Sequence, residues 1–208
     1  MFLFNPENLA WLSHILSLRF LDLSLVDLGA AIQWSQAINK LHSLVHLNLN
    51  GCVLLPFTTG TTLVHLDLSS NDLNGSILDG FGNMISLAYL DLRYCAFEGE
   101  ILFAFGDMRA LEYLDISGHG LHEGILDAIG DLASLTYLEL FVNQLKALPK
   151  TFELFLSHNE LEGEIPKSFG RRLVILDLSS NRLYGSIPDT VGSMVSFESL
   201  SLFESTPK

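Results

Sequence analysis

Acidic side chains recur at one position of a repeated segment, between two apolar residues. The row comprises Asp22, Asp67, Asp91, Asp115, Glu139 and Asp177, and Asn48 continues it. If the segments are neighbouring parallel strands, adjacent carboxylates lie about 5 Å apart. Such a row could bind a cation or steer a basic ligand. It could equally be a structural habit of the repeat, and the sequence leaves these three interpretations open.

Tyrosines stand two residues before three of these acids. Exposed aromatic side chains with interspersed charge are typical of binding hot spots, although tyrosines stacked across strands can also simply stabilise a sheet. Two further aromatic residues, Tyr94 and Phe141, are expected on the far side of the same strands. The predicted ligand-binding patch on the concave face is therefore Tyr89, Asp91, Tyr94, Tyr113, Asp115, Tyr137, Glu139 and Phe141.

Histidines and cysteines do not form a reactive site in this sequence. His46 and His65 hold equivalent positions in adjacent segments, but two imidazoles without a third ligand make a weak metal site. We expect both on the solvated surface, with no metal and no cofactor. Phosphate-binding loops, kinase loops and nucleophile elbows are absent from the sequence. The sequence therefore predicts that the chain is not an enzyme.

Composition narrows the possible partners. The 208 residues include 24 acidic and 11 basic ones, which gives a formal net charge of −13. Such a surface repels nucleic-acid backbones and anionic membranes. The residues from Met1 to Glu7 lack the basic start of a signal peptide. No apolar run reaches the roughly 18 residues that span a bilayer, so we predict no membrane insertion by this chain.

The acids and tyrosines belong to the repeated segment Leu-x-x-Leu-x-Leu-x-x-Asn-x-Leu, whose clearest copies begin at Leu63 and Leu173. Alternating leucines point to one face of a strand. Because one such strand cannot bury them alone, the copies must stack. We predict one array over 1–208 of about nine repeats, irregular at 49–68 and 140–156. Its strands form a concave parallel sheet of about nine strands, and short 3-10 or loop segments make the convex side.

A polar residue follows each strand where the chain turns inward. A buried turn needs partners for its backbone groups, and a stacked amide can serve two turns at once. Cysteine can substitute as a weak donor. Cys52 and Cys95 lie two repeats, about 10 Å, apart, too far for a disulfide, so we expect buried structural thiols. The predicted structural ladder is Cys52, Asn71, Cys95, Asn143, Asn159 and Asn181.

The second half of the repeat suggests a family. Gly163-Glu-Ile165-Pro166 and Gly185-Ser-Ile187-Pro188 follow their asparagines at one offset. The combined pattern resembles the plant-specific leucine-rich repeat of receptor kinases, receptor-like proteins and polygalacturonase inhibitors. The resemblance implies a β-rich solenoid of the α/β type that is right-handed and twists as a superhelix. It also implies a short second strand at the Gly-x-Ile-Pro segment.

The first third of the chain resembles the ectodomain of plant receptor-like proteins, above all the ethylene-inducing-xylanase receptor type. The resemblance rests on the stretch that begins Glu7-Asn-Leu-Ala-Trp11, on Trp34-Ser-Gln-Ala and on Leu49-Asn-Gly-Cys52. It implies a cell-surface immune receptor at the extracellular face of the plasma membrane. Its partners would be a microbial protein or peptide and receptor-kinase co-receptors.

Such ectodomains are longer than this sequence and have cysteine-paired caps. We therefore expect an array without N- and C-terminal caps, as a receptor fragment. The alternatives are a secreted protein similar to polygalacturonase inhibitors and a truncated, non-functional relic. Asn74 begins the sequon Asn74-Gly-Ser, which would be glycosylated if the protein is secreted.

Overall fold

The main sheet consists of nine parallel strands in chain order. A computed structural model describes residues 9–31, 33–54, 62–73, 84–96, 105, 108–121, 129, 132–146, 153–165 and 173–203. The strands are β1 (Phe20–Asp22), β2 (His46–Asn48), β3 (His65–Asp67), β4 (Tyr89–Asp91), β5 (Tyr113–Asp115), β6 (Tyr137–Glu139), β7 (Glu153–Phe155), β9 (Ile175–Asp177) and β11 (Ser199–Ser201). The predicted nine-stranded parallel sheet is confirmed.

Strand register follows the repeat even where the repeat length changes. Across the short interval between β6 and β7, Leu138 pairs with Leu154. Across the short interval between β2 and β3, Leu47 pairs with Leu66. A slip of one residue would turn every leucine out of the core. The register is therefore set by the buried leucines, and the length of the connection does not disturb it.

The core is a continuous stack of leucines along the inner face of the main sheet. The central strand residues Leu47, Leu66, Leu90 and Leu114 are fully buried, as are most of the leucines that follow each strand. Each buried leucine contributes about 1.5–3 kcal/mol of hydrophobic free energy. Because every repeat contributes the same pair, burial in one repeat depends on the repeats beside it.

The convex side contains 3-10 helices at Ala10–His14 and Val191–Ser193. It also contains the short α-helix α1 (Trp34–Asn39), whereas the sequence predicts only 3-10 and loop segments there. The helix lies in the longest interval of the array, between β1 and β2, which has room for more than a full turn. Its buried residues Trp34, Ala37 and Ile38 pack into the leucine core.

A second sheet of two parallel strands, β8 (Glu162–Glu164) and β10 (Arg182–Tyr184), lies beyond β7 and β9 in their repeats. It starts three residues after Asn159 and one residue after Asn181, near the Gly-x-Ile-Pro segments where the resemblance implied a second strand. Gly163 in β8 has a φ of 111°, a backbone conformation that residues with a Cβ atom rarely adopt. Within the part of the chain that the structure describes, no helix has the length and apolar character to cross a membrane.

Candidate functional site

Six aromatic rings stack into one column on the concave face, defined as the sheet face opposite the leucine core. Successive ring centroids lie 4.3, 3.7, 3.8, 4.1 and 4.3 Å apart, with interplanar angles of 25° or less. Each ring occupies the first position of its strand. We call this set the aromatic column: Phe20, His46, His65, Tyr89, Tyr113 and Tyr137.

The two histidines correct a sequence-based expectation. His46 and His65 do not stand as separate solvated side chains, because each lies between two rings and is partly buried. Their strand position matches that of the three tyrosines, and the register alone could have indicated the stack. The column changes direction at β7, where Phe155 occupies the third position. Its ring lies 5.0 Å from that of Tyr137 at an angle of 35°.

The acidic residues at the third strand position support the turns that follow. One carboxylate oxygen accepts the backbone N–H two residues further on, at 2.9–3.2 Å, in all six acidic repeats. Such local bonds fix tight turns. In three repeats the same oxygen also accepts a serine hydroxyl. Of the three interpretations left open for the acidic row, the structural one has direct geometric support.

Two of the predicted ligand-binding acids are buried beneath an arginine. The side chains of Asp91 and Asp115 are 0% and 3% exposed. Arg93 forms an ion pair with Asp91 Oδ2 at 2.7 Å and reaches Asp115 Oδ2 at 3.3 Å through its Nε atom. The guanidinium remains half exposed beside Tyr113. Sequence reasoning missed Arg93, because the position two residues after the strand holds serine or asparagine in most other repeats.

Burial lowers the pKa of a histidine at one end of the column and raises the pKa values of two acidic residues at the other end. Burial, reinforced by the neighbouring His46, lowers the pKa of His65 to about 4. Burial, with added repulsion from nearby carboxylates, raises the pKa of Asp115 to about 6 and that of Glu139 to about 7. Near neutral pH the imidazole of His65 is therefore uncharged, while Glu139 is close to its titration midpoint.

Tyr94 and Phe141 lie outside the strands, in the turns at their carboxyl ends. Tyr94 has a φ of 53° and is half exposed. Its ring covers Gly118 of the next repeat so closely that an added Cβ would collide with it. Phe141 makes an edge contact with His158, with ring centroids 5.0 Å apart. The structure therefore brings together the three predicted tyrosines and Glu139, whereas Tyr94 and Phe141 flank them.

The predicted ladder residues form a continuous row of donors inside the turns. Asn143 donates through Nδ2 to the carbonyls of Ile116 and Leu140, and its Oδ1 accepts the N–H of Leu121. Each of the other predicted residues likewise donates to the carbonyl of the leucine that directly follows the strand of the preceding repeat. The Nε2 atom of His119 lies 2.6 Å from the equivalent carbonyl, that of Leu92. The full row is Cys52, Asn71, Cys95, His119, Asn143, Asn159 and Asn181.

Both ladder thiols are free and buried. Sγ of Cys52 donates to the Leu23 carbonyl at 3.1 Å, and Sγ of Cys95 donates to the Leu68 carbonyl at 3.0 Å. Burial raises the pKa of Cys95 to about 12 and also raises that of Cys52. A thiol that stays protonated is a poor nucleophile and a poor metal ligand. The described residues hold no group of three potential metal ligands, and the predicted glycosylation residue Asn74 lies outside them.

Comparison with known proteins agrees with this geometry. A family model described as leucine-rich repeat matches residues 62–84, 151–171 and 172–194. No curated protein sequence matches significantly. Among solved structures, the plant peptide hormone receptor RGFR1 in complex with RGF2 is 30% identical with a TM-score of 0.67. That match covers 81% of this chain and 29% of the receptor chain.

Two further solved structures match with similar TM-scores but lower sequence identity. The ectodomain of the Arabidopsis receptor kinase HAESA, in complex with an N-terminally extended IDA peptide hormone, is 26% identical with a TM-score of 0.65. The match covers 80% of this chain and 31% of HAESA. An internalin from Listeria monocytogenes is 18% identical with a TM-score of 0.68, covering 95% of this chain and 64% of the internalin; at that identity it shows the fold alone.

The chain is thus a leucine-rich-repeat solenoid similar to plant receptor ectodomains. It spans about a third of the length of the plant receptor chains that it matches. Its fold is a protein-binding scaffold, and on the sheet face opposite the leucine core Tyr89, Tyr113 and Tyr137 are only partly buried.

Proposed function

We propose that this chain is the ligand-binding part of a receptor-like protein and that its concave face binds a protein or peptide around the tyrosines of the aromatic column. The observation that carries the proposal is the stack of Tyr89, Tyr113 and Tyr137, which is ordered yet only partly buried. Tyrosine is enriched in binding hot spots. Rings already held by their neighbours lose little conformational entropy on binding, which favours affinity.

The residues predicted for the patch take different roles in this proposal. Tyr89, Tyr113, Tyr137 and Glu139 contact the ligand directly. Asp91 and Asp115 act by holding Arg93, whose guanidinium interacts electrostatically with Tyr89 and Tyr113. Tyr94 and Phe141 border the patch at the carboxyl ends of the strands. This division follows burial, because a fully buried carboxylate cannot reach a ligand that stays outside the sheet.

The biological setting rests on resemblance. The similar plant receptors RGFR1 and HAESA were solved with peptide hormones, which supports a peptide or small protein as the ligand class. The receptor-like proteins that the first third resembles support a role in plant defence. The ligand would then be a microbial protein or peptide, bound at the extracellular face of the plasma membrane, and receptor-kinase co-receptors would transmit the signal. In its most specific form, the proposal assigns the chain to a receptor-like protein of the ethylene-inducing-xylanase receptor type.

The first test is a selection of binding peptides with the full chain. Random twelve-residue peptides displayed on phage are selected on the wild type and then tested on Tyr113→Ala and Tyr137→Ala. We expect most selected peptides to lose about tenfold or more in affinity on both variants, as for hot-spot residues. Tyr184→Ala is the matched control, because Tyr184 is half exposed but lies in β10 of the second sheet. Equal losses on all three variants, or on none, would contradict the proposal.

A further inference from the structure

The inner rings of the aromatic column offer no free faces. His46, His65, Tyr89 and Tyr113 each have a parallel ring at about 4 Å on both sides. A sugar ring or a nucleobase binds to an aromatic side chain by lying on its face, as single-stranded nucleic acids do. At the inner rings that mode is blocked, and only ring edges and polar tips remain open to a ligand.

Edges and hydroxyl groups suit a polypeptide backbone. The edge of an aromatic ring is its positive side and attracts carbonyl oxygens. A tyrosine hydroxyl both donates and accepts hydrogen bonds, so Tyr89, Tyr113 and Tyr137 present three such groups at the spacing of adjacent strands. From β4 to β7 the column and Phe155 cover about three strand spacings, or 14 Å. An extended chain of four to five residues spans that length.

The same part of the face carries uncompensated negative charge. Glu139 and Asp177 occupy the third position of β6 and β9, and neither strand contains Lys or Arg, whereas Asp115 in β5 is buried and paired with Arg93. The salt bridges found in the described part of the chain belong to Arg93, with Asp91 and Asp115. Glu139 instead accepts the Phe141 N–H at 3.2 Å and lies 3.4 Å from the Tyr137 hydroxyl. An unpaired carboxylate beside a hot spot attracts a cationic partner and selects against an acidic one.

We infer that the segment bound here is an extended, basic peptide. Its backbone lies across the tyrosine edges, and an Arg or Lys side chain reaches Glu139. The inference rests on the proposed function and adds the charge and conformation of the ligand to it.

The composition of the selected peptides tests the inference separately from the function. Among peptides whose binding depends on Tyr113 and Tyr137, we expect Arg and Lys to be enriched at least about twofold over the starting library, and Asp and Glu to be depleted. Tyrosine-dependent peptides that are neutral or acidic would overturn the inference and leave the proposed function standing. Absence of any tyrosine-dependent peptide would overturn both.

A second measurement tests whether the Arg or Lys side chain of the peptide binds at Glu139. One selected basic peptide is synthesised with a fluorophore, and its dissociation constant is measured by anisotropy on the full chain. Glu139→Gln should weaken binding about fivefold at low salt, with a smaller effect at 0.5 M NaCl. Asp189→Asn is the control, because it removes the same charge from an exposed turn beside the 3-10 helix Val191–Ser193. Equal effects of the two variants would mean attraction by net charge alone and would overturn the inference.

The alternative ligand class is tested with neutral oligosaccharides. Chitohexaose and cellohexaose are titrated into the wild type and Tyr113→Ala, and heat is followed by calorimetry. We expect no heat of binding that depends on Tyr113. A titration that saturates on the wild type and disappears in Tyr113→Ala would overturn the inference in favour of a glycan. Circular dichroism of each variant before use verifies that the sheet is intact.

Discussion

The two ends of the aromatic column share a geometry and differ in chemistry. At the histidine end, Phe20, His46 and His65 stack as closely as the three tyrosines at the other end. The residues at the third position of the strands differ between the two ends of the column. Asp22 is exposed, whereas Asp91 and Asp115 are buried under Arg93. The first strand position therefore holds phenylalanine, histidine or tyrosine in the same stack. The charged groups nearby give each end of the column a different electrostatic environment.

The difference extends to protonation. At the histidine end, burial keeps imidazoles neutral by lowering the pKa values of His46 and His65. At the tyrosine end, burial and neighbouring carboxylates raise the pKa values of Asp115 and Glu139. Acidification from neutral pH therefore removes negative charge from the tyrosine end. The two ends also contribute oppositely to the pH dependence of stability.

The largest expected effect comes from removing the cation of the tyrosine end. Arg93→Met leaves the buried carboxylates of Asp91 and Asp115 without their ion-pair partner, which should lower the free energy of unfolding by about 3 kcal/mol. At the histidine end, Asn50 holds the equivalent position and donates to the Ser69 hydroxyl, so Asn50→Ala should cost only about 1 kcal/mol. Urea unfolding at pH 7.5 measures both. Equal losses would mean that the ion pairs do not distinguish the two ends.

A smaller effect is expected from the pH dependence of the histidine end. The pKa of His65 is about 4 in the folded state, against 6.5 for an unperturbed imidazole. The unfolded chain therefore binds more protons between these values, and the contribution of His65 to stability falls as pH falls from 6.5 to 4. In His65→Phe the stack is retained without this titration. Urea midpoints at pH 7.5, 6, 5 and 4 should show the variant gaining on the wild type as pH falls; a constant difference would refute the assignment.

An effect of similar size and opposite sign is expected at the tyrosine end. Glu139 has a folded pKa of about 7, against 4.5 for an unperturbed glutamate. Its contribution to stability is therefore complete below pH 4.5 and is lost as pH rises through 7. Glu139→Gln should gain on the wild type in urea midpoints between pH 5 and pH 8. Asp189→Asn is the matched exposed control, and the same trend in both variants would contradict a local cause.

Features that repeat in every turn of the solenoid could be predicted from the sequence. The sheet, its register and the ladder position of Cys52 and Cys95 follow from spacing, because a buried strand and a buried turn leave few choices of side chain. The sequence indicates the aromatic column only where the residue type stays the same from repeat to repeat. The ring of His65 has the same place as that of Tyr89, but imidazole is usually solvated, and the polar character of the residue obscured its position.

Contacts that occur in one repeat, and a backbone conformation that no residue type marks, could not be predicted. The reach of Arg93 to the acid of the next strand depends on a long side chain whose conformation is set by packing. The position of Tyr94 in the turn depends on a backbone with positive φ, which eight successive repeats share although only two of them use glycine there. Those eight residues are Leu25, Gly51, Ser70, Tyr94, Gly118, Val142, His158 and Ser180. A tyrosine gives no sequence signal of that conformation.

Changes in repeat length leave the register of the sheet intact, and this has a consequence for how such a protein can vary. The connections before β3 and β7 are short, yet their leucines pair as in every other repeat. A deletion or an insertion on the convex side is therefore compatible with the same strand register on the concave side. The two sides can diverge independently: substitutions at the strand positions alter recognition, while changes in loop length alter the outline of the molecule.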